Sequence, residues 1–517
     1  MLIFGLKPAH DGGIAVLRDN QLLFSLESEK DSFDRYSGLT PTTLLEAARL
    51  CDDIPDVVAL GGWHKAKPSP GDIGAGYLGQ ELLSGDASFF GKKVRFFSSS
   101  HERSHILSAI GMAPPPDHEF QSVLVWEGAA GSFFLVDRRG RVVRSVPVMS
   151  EPGARYSFIF TLADPGFPDR APEQRLGDAG KLMALAAFAD PEDADPDVVA
   201  LVDQILKLET LYPVPKGQFR DSPLYNAGVE SEVTKQAAAL ISRRIFDIFS
   251  DRAQRELPEG TPLRISGGCG LNCDWNELWR RSSHFSSVFV PPVPNDSGSA
   301  LGTAIDALLA ETGEYRIDWN VYSGLPFSAD VVPDGDRWET RRYSAGELAR
   351  ALSAGRVVAW VQGRWEIGPR ALGNRSLLAE PFRRETKDRL NEIKKREDYR
   401  PIAPCCRVED LGQAFDTDFE DPYMLYFRRV RTPDLAAVTH VDGTARVQTV
   451  SRQGNAPLHE LLSAFAAERG IGVLCNTSLN YNGLGFINRM SDLVDYCESR
   501  GVDDMVVGDR WFVRRRS

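Results

Sequence analysis

Histidine is scarce in this chain, with 8 among 517 residues. Cysteine is scarce too: there are 7, an odd number, scattered as Cys51, Cys269, Cys273, Cys405, Cys406, Cys475 and Cys497. That pattern excludes a disulfide-stapled secreted scaffold and predicts reduced thiols in a cytosol. An excess of positive charge is also missing. Lys and Arg number 60 against 72 Asp and Glu, a net of −12, which excludes a surface built for nucleic acid or anionic membrane but leaves room for a local basic pocket. No apolar run approaches the ~18 residues of a membrane span. The start, "MLIFGLKPAHDGG", has no basic leader segment, so a cytoplasmic protein is expected. Low-complexity tracts are absent, and 42% hydrophobic with 26% charged residues is a globular balance. The length exceeds what one core usually supports, so two or three domains are expected.

What is present is mostly alternating strand and helix. "GIAVL" and "QLLFSLE" flank Arg18-Asp19-Asn20 as a hairpin, and 121–149 repeats the form: an apolar strand, an acid-and-glycine turn, "SFFLV", "DRRGR", then "VVRSV". Two such units predict a duplicated α/β domain whose halves flank a cleft, as in actin-like and sugar-kinase-like ATPases. "TPTTLLEAARLC" opens with helix-cap chemistry. A long amphipathic helix is expected over 231–257, with Val233, Ala237, Leu240, Ile241, Ile245 and Ile248 on its apolar stripe. The polar, proline-bearing stretch 320–344 reads as the domain boundary, giving domains at 1–335 and 345–517.

The scarce histidines then matter. His101 and His105 in "SSSHERSHILSAIG" stand i, i+4, on one face of a helix, and can share one ion if carboxylates complete the site. Glu127 in "VLVWEGAAGS" and Asp296 in "PVPNDSGSALG" are the candidates, and the donor types suit Fe(II), Mn(II) or Zn(II) alike. Two histidines on an ordinary solvated helix would look the same. In "SGGCGLNC", Gly267, Gly268 and Asn272 form a glycine turn before a helix, where backbone N–H groups favour phosphate; a tight turn beside buried cysteines is the plainer alternative. Lys181 in "GDAGKLMALAAF" follows a second glycine without full P-loop spacing. Beyond the boundary, Arg370, Arg375, Lys394, Lys395, Arg396, Arg400, His440 and Arg446 come from separate segments beside Asn476, Thr477 and Ser478. They suit a pocket for small dense anions, or a solvated basic face.

"GPRALGNRS", "KKREDYRPIAP", "THVDGTARVQTV" and "NTSLN" resemble the C-terminal signature of the O-carbamoyltransferases of nodulation-factor and antibiotic tailoring. "HDGGIAVLRDNQLLFSLESEK", "HERSH", "GKLMALA" and "SGGCGLNC" resemble that family's N-terminal signatures, in the family's order. The resemblance implies an N-terminal actin-like domain similar to tRNA threonylcarbamoyltransferase and a C-terminal YrdC-like domain. It implies that carbamoyl phosphate and ATP, with Mg(II), give carbamoyl adenylate and pyrophosphate in the second domain. A metal site in the first, with Fe(II) or another divalent transition metal, then passes the carbamoyl group to a hydroxyl-bearing small molecule. A secondary metabolite is implied as acceptor, either a 3-hydroxymethylcephem or a glycosylated macrolide.

Position by position, the family's metal ligands fall on His101, His105 and Asp296. Glu127 takes a place usually held by aspartate. Its catalytic histidine and aspartate fall on His10 and Asp11. Arg370, Lys394 or Lys395, Arg400, Arg446 and Asn476 match its carbamoyl-phosphate and adenylate contacts, with Arg375 and Ser478 beside them. The imidazole of His10 is the candidate base for the acceptor hydroxyl. No nucleic acid or membrane partner is expected, and a homodimer is one open oligomeric state. A sugar-kinase-like phosphotransferase and a non-catalytic nucleotide-binding regulator are the competing functions.

Overall fold

Three strands begin the chain because Leu2, Phe4, Ile14, Val16, Phe24 and Leu26 alternate onto one buried face. The structure is a computed structural model and describes residues 1–51, 53–64, 72–170, 176–211 and 214–515. It is mixed α/β. In the first sheet the spatial order is Gln21–Glu27, Gly13–Arg18, Leu2–Lys7, Val57–Gly61, Lys92–Ser99, Leu82–Phe89. The first three strands pair antiparallel, and Val57–Gly61 and Lys92–Ser99 then join in parallel.

The second sheet repeats this plan. Its order is Val142–Ser150, Ala130–Asp137, Phe120–Trp126, Leu263–Ser266, Val288–Phe289. Again three strands are antiparallel and two are added in parallel. The duplication expected from two hairpins is therefore a duplication of topology.

A third sheet runs Trp338–Arg342, Arg510–Arg514, Asp504–Val507, Val358–Val361, Arg375–Ala379, Val473–Ser478, Ala403–Arg407, Gln448–Val450. Both its faces are covered. Trp360, Leu378, Leu461 and Phe465 pack on one side, and Leu377, Phe415, Leu493 and Phe512 on the other. Such doubly covered strands read as near-continuous apolar runs, as "VVAW" and "VLC" do.

By internal packing the chain forms two compact units. One comprises residues 1–112, 291–439 and 443–517; the other comprises 113–290 and 440–442. The first unit thus contains both the first and third sheets. The third sheet opens at Trp338, and its strands share a compact unit with those of the first. The reason is an apolar cluster in which Trp365, Ala371 and Phe486 pack with the first sheet's Leu2, Phe4 and Ile14.

In the second unit the core is aromatic. Trp126 lies 4.7 Å from Trp275 and 5.1 Å from Phe249, and Phe133 meets Trp279 edge-on at 5.9 Å. The long helix is Glu232–Glu256, close to the expected span. Its buried stripe steps through Ala237, Ile241, Ile245 and Phe249, while Ile248, expected inside, is 37% exposed. The i, i+4 ladder won because the bulky Phe249 fills the space against Trp126 and Phe133.

Candidate active site

The helix His101–Gly111 starts after Ser100, whose side chain accepts from the Arg103 N–H. Arg103 then makes a bidentate pair with buried Asp306 on the helix Ser299–Thr312 (2.6 and 2.9 Å), and Ser104 bonds Thr303 at 2.8 Å. These contacts fix the helix so that both histidines are buried and their Nε2 atoms stand 3.2 Å apart. Asp296, opening the short turn Asp296–Gly298, brings its Oδ1 to 3.5 Å from His101 Nε2 and 3.4 Å from His105 Nε2.

Three donors therefore converge at 3.2–3.5 Å from one another. Ligand atoms about 2.0–2.1 Å from a tetrahedral ion stand roughly 3.3–3.4 Å apart, so this spacing fits a first-row divalent ion. Burial by itself would raise the Asp296 carboxyl. The His101 charge, the Lys7 ammonium and hydrogen bonds from both histidines outweigh it and hold it well below the usual range.

Beside this cluster, His10 Nδ1 bonds Asp11 Oδ2 at 3.1 Å and His10 Nε2 lies 3.5 Å from Asp296 Oδ2. Burial pulls the His10 imidazole down, but the Asp11 bond and the charges of Asp296 and Asp11 leave it raised. Asp11 itself is raised, first by burial and then by Asp296 and Glu29. An aromatic wall surrounds the group: Trp63 meets His10 and His101 edge-on at 4.9 and 4.7 Å, and Tyr77 stacks on His101 at 4.6 Å. Glu127 belongs to the other compact unit, where it follows Phe120–Trp126 and its N–H donates to the Ala130 carbonyl at 2.7 Å.

The residues expected to bind phosphate from the second unit differ in their surroundings. Gly267 has φ +94°, and a Cβ there would stand 2.2 Å from the Trp126 carbonyl, so close backbone packing already requires glycine. At Gly268 a Cβ would meet nothing within 4 Å. Asn272 caps the helix Cys273–Arg281 through Oδ1, leaving its Nδ2 buried with no protein acceptor. Lys181 pairs with Asp178 at 3.1 Å.

The lysines and arginines of the C-terminal segments lie in the first unit. The loop 366–375 is shaped by Glu366 Oε1, which accepts from the N–H groups of Leu372, Asn374 and Arg375. From the first sheet, Glu27 accepts the Gly368 N–H (2.7 Å) and Lys30 donates to the Gly368 carbonyl (2.6 Å), which anchors the segment carrying Arg370. Lys394 ends the helix Arg384–Lys394; its buried ammonium donates to Ser478 O (2.5 Å), Asn480 O (2.9 Å) and Asn480 Oδ1. Lys395 is exposed with φ +49°, whereas Lys394 is buried. Burial, then the charges of Arg396, Arg400, Arg500 and Arg35, drives Lys394 well below the ordinary lysine range. Burial, with Arg400 and Arg446, lowers Arg396 to about 9, and Arg400 is lowered by burial, Arg446 and Arg35. Arg446, on the strand Thr444–Arg446, keeps a buried Nε without a protein acceptor. Asn476 donates to Ala371 O (3.1 Å) and Gln448 Oε1 (2.9 Å), tying strand to loop.

Two basic residues stand elsewhere than the sequence pattern placed them. Arg375 is fully buried, and its guanidinium donates to Gln362 O, Asn374 O, Gly363 O and twice to Asn488 Oδ1. All five N–H donors are engaged inside the protein, and burial lowers it to about 10. His440 folds with the second unit, where its Nε2 meets the Ala184 carbonyl at 2.9 Å. Conversely, sequence reasoning missed Arg35 and Arg500. Neither lies in a basic run, and only the tertiary fold brings their charges to Lys394.

The chain is similar to known proteins along nearly its whole length. Residues 85–305 match the carbamoyltransferase N-terminus model and 349–514 the carbamoyltransferase C-terminus model. The chain is 64% identical to the 3'-hydroxymethylcephem-O-carbamoyltransferase of Amycolatopsis lactamdurans over 517 residues, 99% of each chain. It is 63% identical to that of Streptomyces clavuligerus over 518 residues, again 99% of each. It is 32% identical to nodulation protein U of Sinorhizobium fredii, over 94% of this chain and 95% of that one. Family models matched in both halves and end-to-end identity of this order make the chain a member of the carbamoyltransferase family.

Proposed function

We propose that this protein is an ATP-dependent O-carbamoyltransferase whose acceptor is the hydroxyl of a 3'-hydroxymethylcephem. The acceptor assignment is supported by two relatives of that name at 64% and 63% identity. The site reading is carried by the convergence of His101, His105 and Asp296 at 3.2–3.5 Å. We read the two repeated sheets as an actin-like domain within 1–335, similar to tRNA threonylcarbamoyltransferase, and the third sheet as a YrdC-like domain within 345–517.

In the first reaction, carbamoyl phosphate, ATP and water give carbamoyl adenylate, pyrophosphate and phosphate. Arg370, Lys394, Arg400 and Arg446 neutralise the phosphoryl oxygens, and fixed guanidinium groups need no reorganisation as charge develops. Asn272 Nδ2 and the open backbone at Gly268 are further donors for a phosphate. In the second reaction, the acceptor oxygen attacks the carbamoyl carbon, the bond to the adenylate oxygen breaks, and AMP leaves. His10 takes the hydroxyl proton at Nε2, with Asp11 fixing the ring through Nδ1. A divalent ion, Fe(II) or a neighbour in the same series, would be held by His101, His105 and Asp296 and would supply carbonyl polarisation.

The test is His10→Asn. Pyrophosphate release from ATP and carbamoyl phosphate should persist while carbamoyl transfer falls. Loss of both activities together would refute the division of labour between the two sites.

A further inference from the structure

We propose that Lys7 is a positioning residue that sets the strength of the ion site, by holding the Asp296 oxygen turned away from the paired histidines. The inference rests on reading His101, His105 and Asp296 as ion ligands. Lys7 ends the first strand, fully buried, with its Nζ 3.4 Å from Asp296 Oδ2 and 3.2 Å from the centre of the Trp63 ring. Trp63 in turn abuts His10 and His101 edge-on. The Asp296 carboxylate is thus divided. Oδ1 faces His101 and His105 at 3.5 and 3.4 Å, and Oδ2 faces Lys7 and His10 at 3.4 and 3.5 Å.

Burying an ammonium is costly, and the core gains nothing from one that an apolar side chain would not give. Placed beside a ligand carboxylate, its charge has a defined effect. A carboxylate behind a ligating histidine raises the donor's basicity and tightens the metal. An ammonium behind a ligating carboxylate does the reverse, drawing electron density from Asp296 and opposing the cation directly. An ion held less tightly by Asp296 keeps more of its charge for a carbonyl oxygen. The Trp63 face, attractive to a cation, holds the ammonium on this oxygen. Lys7 therefore exchanges ion affinity for electrophilic strength.

Co(II) titration of the chelator-treated full-length protein, followed by its visible absorption, tests this without any turnover. Lys7→Met should bind Co(II) about tenfold or more tightly than the unaltered protein, and Lys7→Arg, which keeps the charge, should bind close to it. A merely structural lysine would give the opposite sign, since its loss would loosen the site. Should Lys7→Met not fold, Lys7→Gln removes the same charge and carries the same expectation. Equal or weaker binding by the neutral variant, with the unaltered protein still binding, overturns the role of Lys7 alone. Failure of the unaltered protein to take Co(II) overturns the ion-site reading and this inference with it.

Discussion

His101→Ala removes one of three convergent donors and leaves the cationic chamber untouched. Several kcal/mol of lost carbonyl polarisation corresponds to roughly a thousandfold. Carbamoyl transfer should fall by that order while pyrophosphate release holds, both read from the same reaction. Lys394→Met should do the converse, cutting pyrophosphate release by about 10²–10³-fold as a positioned cation is lost. Arg375→Met tests a different statement. It strands acceptors at Gln362, Asn374, Gly363 and Asn488, so unfolding stability should drop by at least about 3 kcal/mol. The KM for ATP, measured below the lowered melting temperature, should stay where it was. At this scale the sequence was legible where a pair of residues shares one helix: the i, i+4 spacing of His101 and His105 already fixed their common face. It was illegible at Arg375, because a lone arginine beside a glycine loop looks the same whether it meets a ligand or Asn488. Arg35 and Arg500 could not be found at all, since only folding brings them to Lys394.

Helix ends and loops carry the next level of the argument. Asp274, in the first turn of Cys273–Arg281, is pushed up to about 7 by burial and then by the charge of Asp442. A carboxyl raised on folding favours the protonated form, so its contribution is fully present below the unfolded value near 3.9 and is lost as pH rises through about 7. Asp274→Asn should therefore match the unaltered protein in thermal melts near pH 4. By pH 8 it should be the more stable by about 4 kcal/mol. A constant difference across that range would contradict the assignment. The hairpins Gly13–Arg18 to Gln21–Glu27 and Ala130–Asp137 to Val142–Ser150 fall where alternation and turn residues put them. The stripe of Glu232–Glu256 was misjudged at Ile248 because a period fitted to aliphatic residues alone overlooked Phe249.

Across the whole molecule, the repeated strand order of the first two sheets was foreshadowed by two hairpins of like form. The grouping of the first and third sheets into one compact unit was not. Its cause lies in contacts of long sequence separation, Glu27 and Lys30 on Gly368 and Trp365 among the first sheet's apolar residues. One consequence bears on function. A Cβ at Gly368 would stand 2.2 Å from the Pro292 carbonyl, so the loop bearing Arg370 leans on the segment that leads to Asp296. The Arg370 loop and the Asp296 turn are thus packed together within one unit. The most direct measurement supplies the purified protein with ATP, a divalent metal, carbamoyl phosphate labelled in its carbonyl carbon and a 3'-hydroxymethylcephem, and follows the label by mass spectrometry. The account predicts label on the cephem oxygen together with AMP and pyrophosphate. ADP with a phosphorylated cephem, or labelled product formed equally well without ATP, would contradict it.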